Sequence, residues 1–211
     1  MSDITAALEP EPAAAAELFG DRIDVARAFT EHLARWGEEL GLIGPLELPR
    51  LWSRHVINSV LVAPLLRPGR VGDVGSGAGL PGLVLALARP DVDFVLIEPM
   101  ERRVEWLSAE AGRLGLENVT VLRARAEEAP QEQLDQVTAR AVSALSKLIP
   151  ITAPLLRPGG EMIFMKGERV GEEIAAAQKV IRKHRLSSPE VLVLGEGIAP
   201  ESTRVFRATL D

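Results

Sequence analysis

Val71-Gly72-Asp73-Val74-Gly75-Ser76-Gly77-Ala78-Gly79-Leu80-Pro81-Gly82 is the stretch whose reading decides the fold. Small and β-branched residues lead into a run of glycines, and Leu83-Val84-Leu85-Ala86-Leu87-Ala88 then supplies an apolar segment the length of a short helix. The pattern predicts a strand, a tight loop and a helix N-terminus. Glycine accepts positive φ and lets a ligand approach the backbone with no Cβ in the way. The helix start adds unpaired N–H groups and the positive end of a dipole. Gly75, Gly77, Gly79 and Gly82, spaced after an apolar strand, therefore point to a nucleotide-like ligand rather than to an ordinary turn.

Working outward, 211 residues suffice for one domain with a small extension and a substantial core. There is no cysteine, which removes disulfides, thiolate nucleophiles and cysteine-ligated metals. His32, His55 and His184 lie far apart, so no local metal-binding cluster is visible. No basic leader precedes an apolar core, and no apolar run approaches membrane-spanning length; a cytoplasmic protein without membrane or metal is expected. The net charge of −6 excludes a wholly basic nucleic-acid coat but not a local basic face. Met1–Glu17 and Glu38–Glu47 are acidic, whereas Arg102, Arg103, Arg113, Arg123 and Arg125 gather after the glycine loop and a second basic run spans Lys179–Arg185.

Residues 1–17, rich in Ala, Pro and Glu, are expected to be a disordered acidic tail. Residues 18–66 read as an N-terminal helical cap. Ile23, Ala26, Phe29, Leu33, Trp36 and Leu40 recur at helical spacing, and a second helical stretch carries Leu51, Trp52, His55, Val56, Ser59 and Val60. His55 has two readings, a ligand-facing residue or a partly buried hydrogen-bonded one.

From residue 67 to 211 strands alternate with helices. Val71–Val74, Phe94–Ile97, Val119–Leu122, a weaker Val137–Ala139 and Glu161–Met165 are predicted strands, the last after a Pro158-Gly159-Gly160 turn. Helices are predicted over Pro81–Ala88, Glu101–Leu114 and Val170–Arg182, with Ala144–Leu156 broken at Pro150 and Pro154. Val191–Leu194 and Arg204–Thr209 leave no room for a helix between them and should pair antiparallel.

Two frames fit the glycine loop. Gly77-Ala78-Gly79-Leu80-Pro81-Gly82 is G-x-G-x-x-G, with Glu98 where a dinucleotide ribose would want an acid. Asp73-Val74-Gly75-Ser76-Gly77-Ala78-Gly79 resembles the first motif of class I S-adenosylmethionine methyltransferases. Only the second frame accounts for Asp73, and the terminal hairpin and Ala126-Glu127 after the third strand also suit it. In either frame Glu98 accepts hydrogen bonds from ribose hydroxyls. The expected fold is therefore α/β, a class I S-adenosylmethionine-dependent methyltransferase with a Rossmann-like, mainly parallel seven-stranded sheet, an antiparallel terminal hairpin and the helical cap.

Absences narrow the acceptor. A pyrimidine ring carbon usually calls for a cysteine nucleophile. Exocyclic amines are usually gripped by an Asn/Asp-Pro-Pro-Tyr/Phe motif, where this chain reads Ala139-Arg140-Ala141-Val142-Ser143. A basic residue at that strand end suits an acceptor already presenting a lone pair, such as guanine N7, which needs no prior deprotonation.

Arg54-His55-Val56-Ile57-Asn58-Ser59, Asp73–Gly82, Arg102-Arg103-Val104, Arg125-Ala126-Glu127, Arg140-Ala141 and Lys166-Gly167 together resemble the RsmG (glucose-inhibited division protein B) family across about residues 30–211. The resemblance implies methylation of guanine N7 in 16S ribosomal RNA, free or in the small ribosomal subunit, by a monomer using S-adenosyl-L-methionine and releasing S-adenosyl-L-homocysteine. It implies donor binding by Asp73, Gly75, Gly77, Gly79, Leu80, Glu98, Ala126, Glu127 and Arg140. Arg140 and Lys166 are the implied catalytic residues, and Arg54, His55, Arg125, Lys166 and Arg204 the implied RNA contacts. Two departures stand out: Asn58 where the family often has Asp, and Leu42-Ile43-Gly44-Pro45 in place of an Asn-Leu-Thr/Ile start. Two other readings stay open: a non-catalytic rRNA-binding or assembly factor on this fold, and an NAD-dependent oxidoreductase.

Overall fold

Seven strands in the order β3-β2-β1-β4-β5-β7-β6 form the single sheet of the computed structural model, which describes residues 8–129 and 133–211. The strands are β1 (Gly69–Val74), β2 (Val92–Ile97), β3 (Val119–Leu122), β4 (Leu134–Arg140), β5 (Leu156–Lys166), β6 (Leu186–Leu194) and β7 (Thr203–Leu210). β1 to β5 run parallel, β7 returns antiparallel to β5, and β6 pairs antiparallel with β7. Strand order reverses between β1 and β4, the switch point where open α/β sheets bind ligands beyond the strands' carboxyl ends.

Helices cover both faces of the sheet, as parallel strands that are apolar on both sides require. One face carries α1 (Ala14–Phe19), α2 (Ile23–Trp36), α3 (Gly82–Ala88) and α4 (Glu101–Arg113), whose buried side chains join a single cluster with Val71, Phe94 and Leu96. The other carries α5 (Leu145–Thr152) and α6 (Val170–Lys183), packed on Val74, Ile97, Val137 and Phe164. The N-terminal helices thus share a core with the sheet.

Four sequence expectations are corrected. Residues 1–7 of the expected tail lie outside the described residues, but its remainder is structured. Ala14–Phe19 is helical and buries Ala15 and Phe19, Glu9 N–H donates to the Leu48 carbonyl (2.9 Å), and Glu11 pairs with Arg27 (2.6 Å). Alanine is the best helix former, and a small apolar face is enough for it to pack on. Pro150 does not break α5. It forfeits one backbone bond near the end of a short helix anchored by buried Leu145, Leu148 and Ile149. Pro158-Gly159-Gly160 lies inside β5, where the register with β4 jumps from Leu134↔Leu156 to Gln136↔Glu161. The strand absorbs the turn as a bulge. β4 begins earlier than its polar start suggested, because buried Gln136 is satisfied by the Arg67 N–H (2.7 Å), the Leu65 carbonyl (3.0 Å) and Glu161 (2.8 Å).

The second helical stretch of the cap is wound as a π-helix over Leu51–Ile57, followed by one α-helical turn, Asn58–Val60. π-Turns are uncommon and concentrate at functional sites. A brace ties cap to loop. His32 on α2 stacks on Trp106 of α4 (5.3 Å between ring centroids) and bonds Glu110 (2.6 Å), and the Trp106 indole N–H donates to the Ala78 carbonyl (3.0 Å). Arg113 pairs with Glu110 and donates to the Ala28 carbonyl.

Phe29 is fully buried in this shared core. Phe29→Ala is expected to cost about 3–5 kcal/mol. Denaturant unfolding followed by circular dichroism and by tryptophan fluorescence should shift as one coincident transition; two separate transitions would show cap and sheet to be independent.

Candidate active site

The loop after β1 is built by hydrogen bonds that only its particular residues allow. Gly75, Gly77 and Gly79 have φ of 72°, 56° and 91°, a region that side chains rarely enter. Gly75 N–H donates to the Ile97 carbonyl (2.8 Å), tying the loop to β2. Asp73 is fully buried at the end of β1, and its Oδ2 accepts the Gly82 N–H at the start of α3 (3.0 Å). A Cβ at Gly82 would overlap both Asp73 Oδ2 and Leu96, so this glycine serves packing. Burial raises the Asp73 pKa to about 7, against the pull of the Gly82 bond, and Asp73 Oδ1 has no hydrogen-bond partner.

Glu98, at the end of β2, is 2% exposed. Its two oxygens accept the Gly77 N–H and the Met100 N–H, each at 3.0 Å. Each keeps a further lone pair for a hydroxyl. Arg103 approaches it at 3.9 Å, while Arg123 pairs with Glu101; much of the basic run seen in the sequence is thus spent on acids of its own surroundings.

Beside this loop, at the carboxyl ends of β4 and β5, lies an open cleft of about 840 Å³. Arg54, Asn58, Arg140, Val142 and Lys166 line it. A Cβ on Gly75 would meet Val142 Cγ2 at 2.9 Å, so cleft and glycine loop are contiguous. Lys166 Nζ is anchored by the Ser143 carbonyl (2.7 Å) and Glu173 (2.8 Å). Sheet register sets Arg204 of β7 beside Lys166, with Glu168 4.0 Å away.

Arg140 is gripped from behind by the π-helix. It donates to the Arg54 carbonyl (3.1 Å) and to His55 Nδ1 (2.7 Å), with the His55 carbonyl at 3.5 Å. Burial, then the nearby Arg54 charge, lowers the Arg140 pKa to about 10, which leaves it a cation at neutral pH. Burial and then Arg140 lower the His55 pKa to about 4, so the imidazole is neutral. Arginine can only donate, hence Nδ1 accepts and Nε2 carries the proton, which goes to Glu47 Oε2 at 2.5 Å. Burial works to raise the Glu47 pKa, but its bonds from His55 and Arg50 outweigh this and leave it lowered.

The structure brings Asp73, Gly75, Gly77, Gly79 and Glu98 together, and gathers Arg54, Arg140 and Lys166 in the cleft next to them. His55 stands behind Arg140 with both ring nitrogens engaged. Leu80 is half-buried against the core. Ala126 and exposed Glu127 line a separate recess of about 220 Å³ with Ile151 and Pro154, off the end of β3. Arg125 is exposed in the turn leading to it and is not among the cleft residues. Sequence reasoning missed Glu47, Val142 and Glu173. Glu47 lay in plain view inside an acidic stretch, but nothing local connects it with Arg140.

The geometry of the site suits S-adenosylmethionine on two counts: an open positive-φ glycine cradle, and a buried carboxylate at the next strand end with lone pairs to spare. Among the described residues, no group of three or more His, Asp or Glu side chains is placed to hold a metal ion. No helix among the described residues is long and apolar enough to cross a membrane.

The fold is that of the S-adenosylmethionine-dependent methyltransferases. It superposes on such an enzyme from Aquifex aeolicus (TM-score 0.58, 18% identity, 82% of this chain and 97% of that one). It also superposes on a precorrin-6y C5,15-methyltransferase from Geobacter metallireducens (TM-score 0.56, 16% identity, 81% and 91%). The chain belongs to the GidB family, rRNA small subunit methyltransferase G, whose pattern matches residues 22–201. Relatives named ribosomal RNA small subunit methyltransferase G include one from Clavibacter michiganensis subsp. michiganensis, 69% identical over 95% of this chain and 96% of its own. Another, from Leifsonia xyli subsp. xyli, is 66% identical over 98% and 100%.

Asp73 titrates near 7 in the folded chain against an ordinary 3.8. Unfolding therefore releases a proton between these values, and the stabilisation from a protonated Asp73 is lost as pH rises through 7. Wild-type protein should lose thermal stability relative to Asp73→Asn between about pH 4 and about pH 7. A pH-independent difference in melting temperature would show Asp73 to be ionised throughout.

Proposed function

We propose that the protein transfers a methyl group from S-adenosylmethionine to N7 of a guanine in 16S ribosomal RNA, working as a cytoplasmic monomer on free RNA or on the small ribosomal subunit. The observation that carries this reading is the convergence of Arg54, Arg140 and Lys166 on one cleft at the carboxyl ends of β4 and β5, against the glycine loop that stands at the sheet's switch point.

On this reading Glu98 takes the ribose hydroxyls, Gly75–Gly79 and Leu80 make room for the methionine part, and Ala126 and Glu127 flank the adenine. Once bound there, S-adenosylmethionine supplies an electrophilic methyl group on a sulfonium centre. Guanine N7 carries its own in-plane lone pair, so no side chain has to remove a proton before attack. That agrees with a cleft that His55 does not line, its two ring nitrogens being occupied by Glu47 and Arg140. Arg140 and Lys166 donate to guanine O6 or to a phosphate and hold N7 in line. The purine gains the positive charge that the donor loses, so no new counter-ion is needed.

A non-catalytic assembly factor would tolerate damage to the donor loop. Gly75 has φ 72°, and a Cβ there would meet Val142 Cγ2 at 2.9 Å, so it cannot take a carboxylate side chain without displacing the cleft wall. Gly75→Asp should therefore abolish S-adenosylhomocysteine binding by calorimetry, and NAD should not bind the wild type. With labelled donor and 16S RNA, free or in particles, Arg140→Ala should lose about 100-fold or more in kcat/KM. No methyl transfer by the wild type to either substrate would refute the proposal. RNA affinity should fall as salt rises, and Arg54→Ala should reduce the log–log slope by about one; a flat salt response would remove the basic-cleft assignment.

A further inference from the structure

Three segments distant in sequence meet in one hydrogen-bonded line. Glu47 lies in the loop before the π-helix, His55 within it, and Arg140 at the end of β4, 85 residues further on. The contacts run from Glu47 Oε2 to His55 Nε2 at 2.5 Å and from His55 Nδ1 to Arg140 at 2.7 Å. His55 is largely buried, its side chain 13% exposed, so the line is shielded where it matters.

We propose that Glu47 and His55 are positioning residues for methyl transfer: Glu47 fixes the imidazole tautomer, and His55 thereby presents a lone pair that holds the Arg140 guanidinium at the cleft. This rests on the role given to Arg140 above. An imidazole can place its proton on either nitrogen, and the bond made by one nitrogen decides the state of the other. With Glu47 accepting from Nε2, Nδ1 is left as an acceptor, the only state compatible with a facing cation. Without Glu47, the Nδ1–H tautomer becomes accessible and points a donor at Arg140. The π-winding contributes as well, since Arg140 also finds the Arg54 carbonyl at 3.1 Å and the His55 carbonyl at 3.5 Å. A guanidinium has five N–H donors; with three acceptors behind it, donors remain for the cleft that Arg140 lines.

Glu47 also pairs with Arg50 (2.6 Å), so a structural role in the loop has to be separated from a role through Arg140. The experiment is a pair of double-mutant cycles on kcat/KM for 16S RNA methylation, Glu47→Ala with Arg140→Ala and His55→Ala with Arg140→Ala, with folding checked by circular dichroism. Each of Glu47→Ala and His55→Ala is expected to lower kcat/KM about 10- to 100-fold in the wild-type background, the range seen when partners orienting a functional histidine are removed. In the Arg140→Ala background each should change it less than about twofold, since residues acting as a unit are non-additive. Glu47→Gln, which keeps an acceptor for Nε2–H, should restore most of the rate, and Arg50→Ala should leave it unchanged.

Nitrogen-15 NMR of His55 supplies a readout independent of turnover: a protonated Nε2 and bare Nδ1 in the wild type and Glu47→Gln, and a tautomer mixture in Glu47→Ala. Effects that multiply in both cycles, or an unchanged tautomer in Glu47→Ala, overturn the positioning role while leaving that of Arg140 intact. Should Arg140→Ala itself retain full activity, the assignment of Arg140 fails, and this inference with it.

Discussion

A single hydrogen bond between a buried carboxylate and a backbone N–H, Asp73 Oδ2 to Gly82 at 3.0 Å, closes the loop from which the rest of the site is laid out. It joins the end of β1 to the first residue of α3 and forces the intervening chain through a tight, positive-φ path. The bond is possible only because Gly82 has no side chain; any Cβ there would occupy the space of the carboxylate. Desolvating Asp73 is costly, as its raised pKa records. What it obtains is a loop whose backbone faces the sheet's switch point while its glycines leave the ligand side clear.

Around that loop the site divides into two parts of different origin. The part that the proposed reading gives to ribose and methionine is local: β1, the glycines and the end of β2 are contiguous or one strand apart. The cleft is assembled. β4 brings Arg140, β5 brings Lys166, β7 sets Arg204 beside it, and the N-terminal cap supplies Arg54 together with the residues that grip Arg140. The cap is therefore one wall of the site as well as a cover for the core.

This division explains what could be read from the sequence. Asp73 to Gly82 encodes a strand end, a loop chemistry and a helix start within ten residues, and the hairpin of β6 and β7 follows from two strand-like runs with too little chain between them for a crossover. β4 was harder, because Asp135 and Gln136 look like loop residues until the partners of Gln136 on other segments are known. Pro158-Gly159-Gly160 carries the local signal of a turn, and only pairing with β4 shows that a bulge absorbs it. The π-winding over Leu51–Ile57 has no periodicity distinct enough from an α-helix to be seen in seven residues. Glu47, His55 and Arg140 are joined by tertiary structure alone.

The brace from α2 to the glycine loop has a thermodynamic side. His32, Trp106 and the Ala78 carbonyl form a continuous contact between a cap helix and the backbone that would surround the donor. Two sites joined through a common rigid element exchange free energy in equal amounts. Any coupling this contact carries is reciprocal: the factor by which a filled loop tightens the seating of the cap is the factor by which a loosened cap weakens hold on the loop's ligand. A ligand held in the loop and one seated on α2 would then change each other's affinity by one common factor without touching.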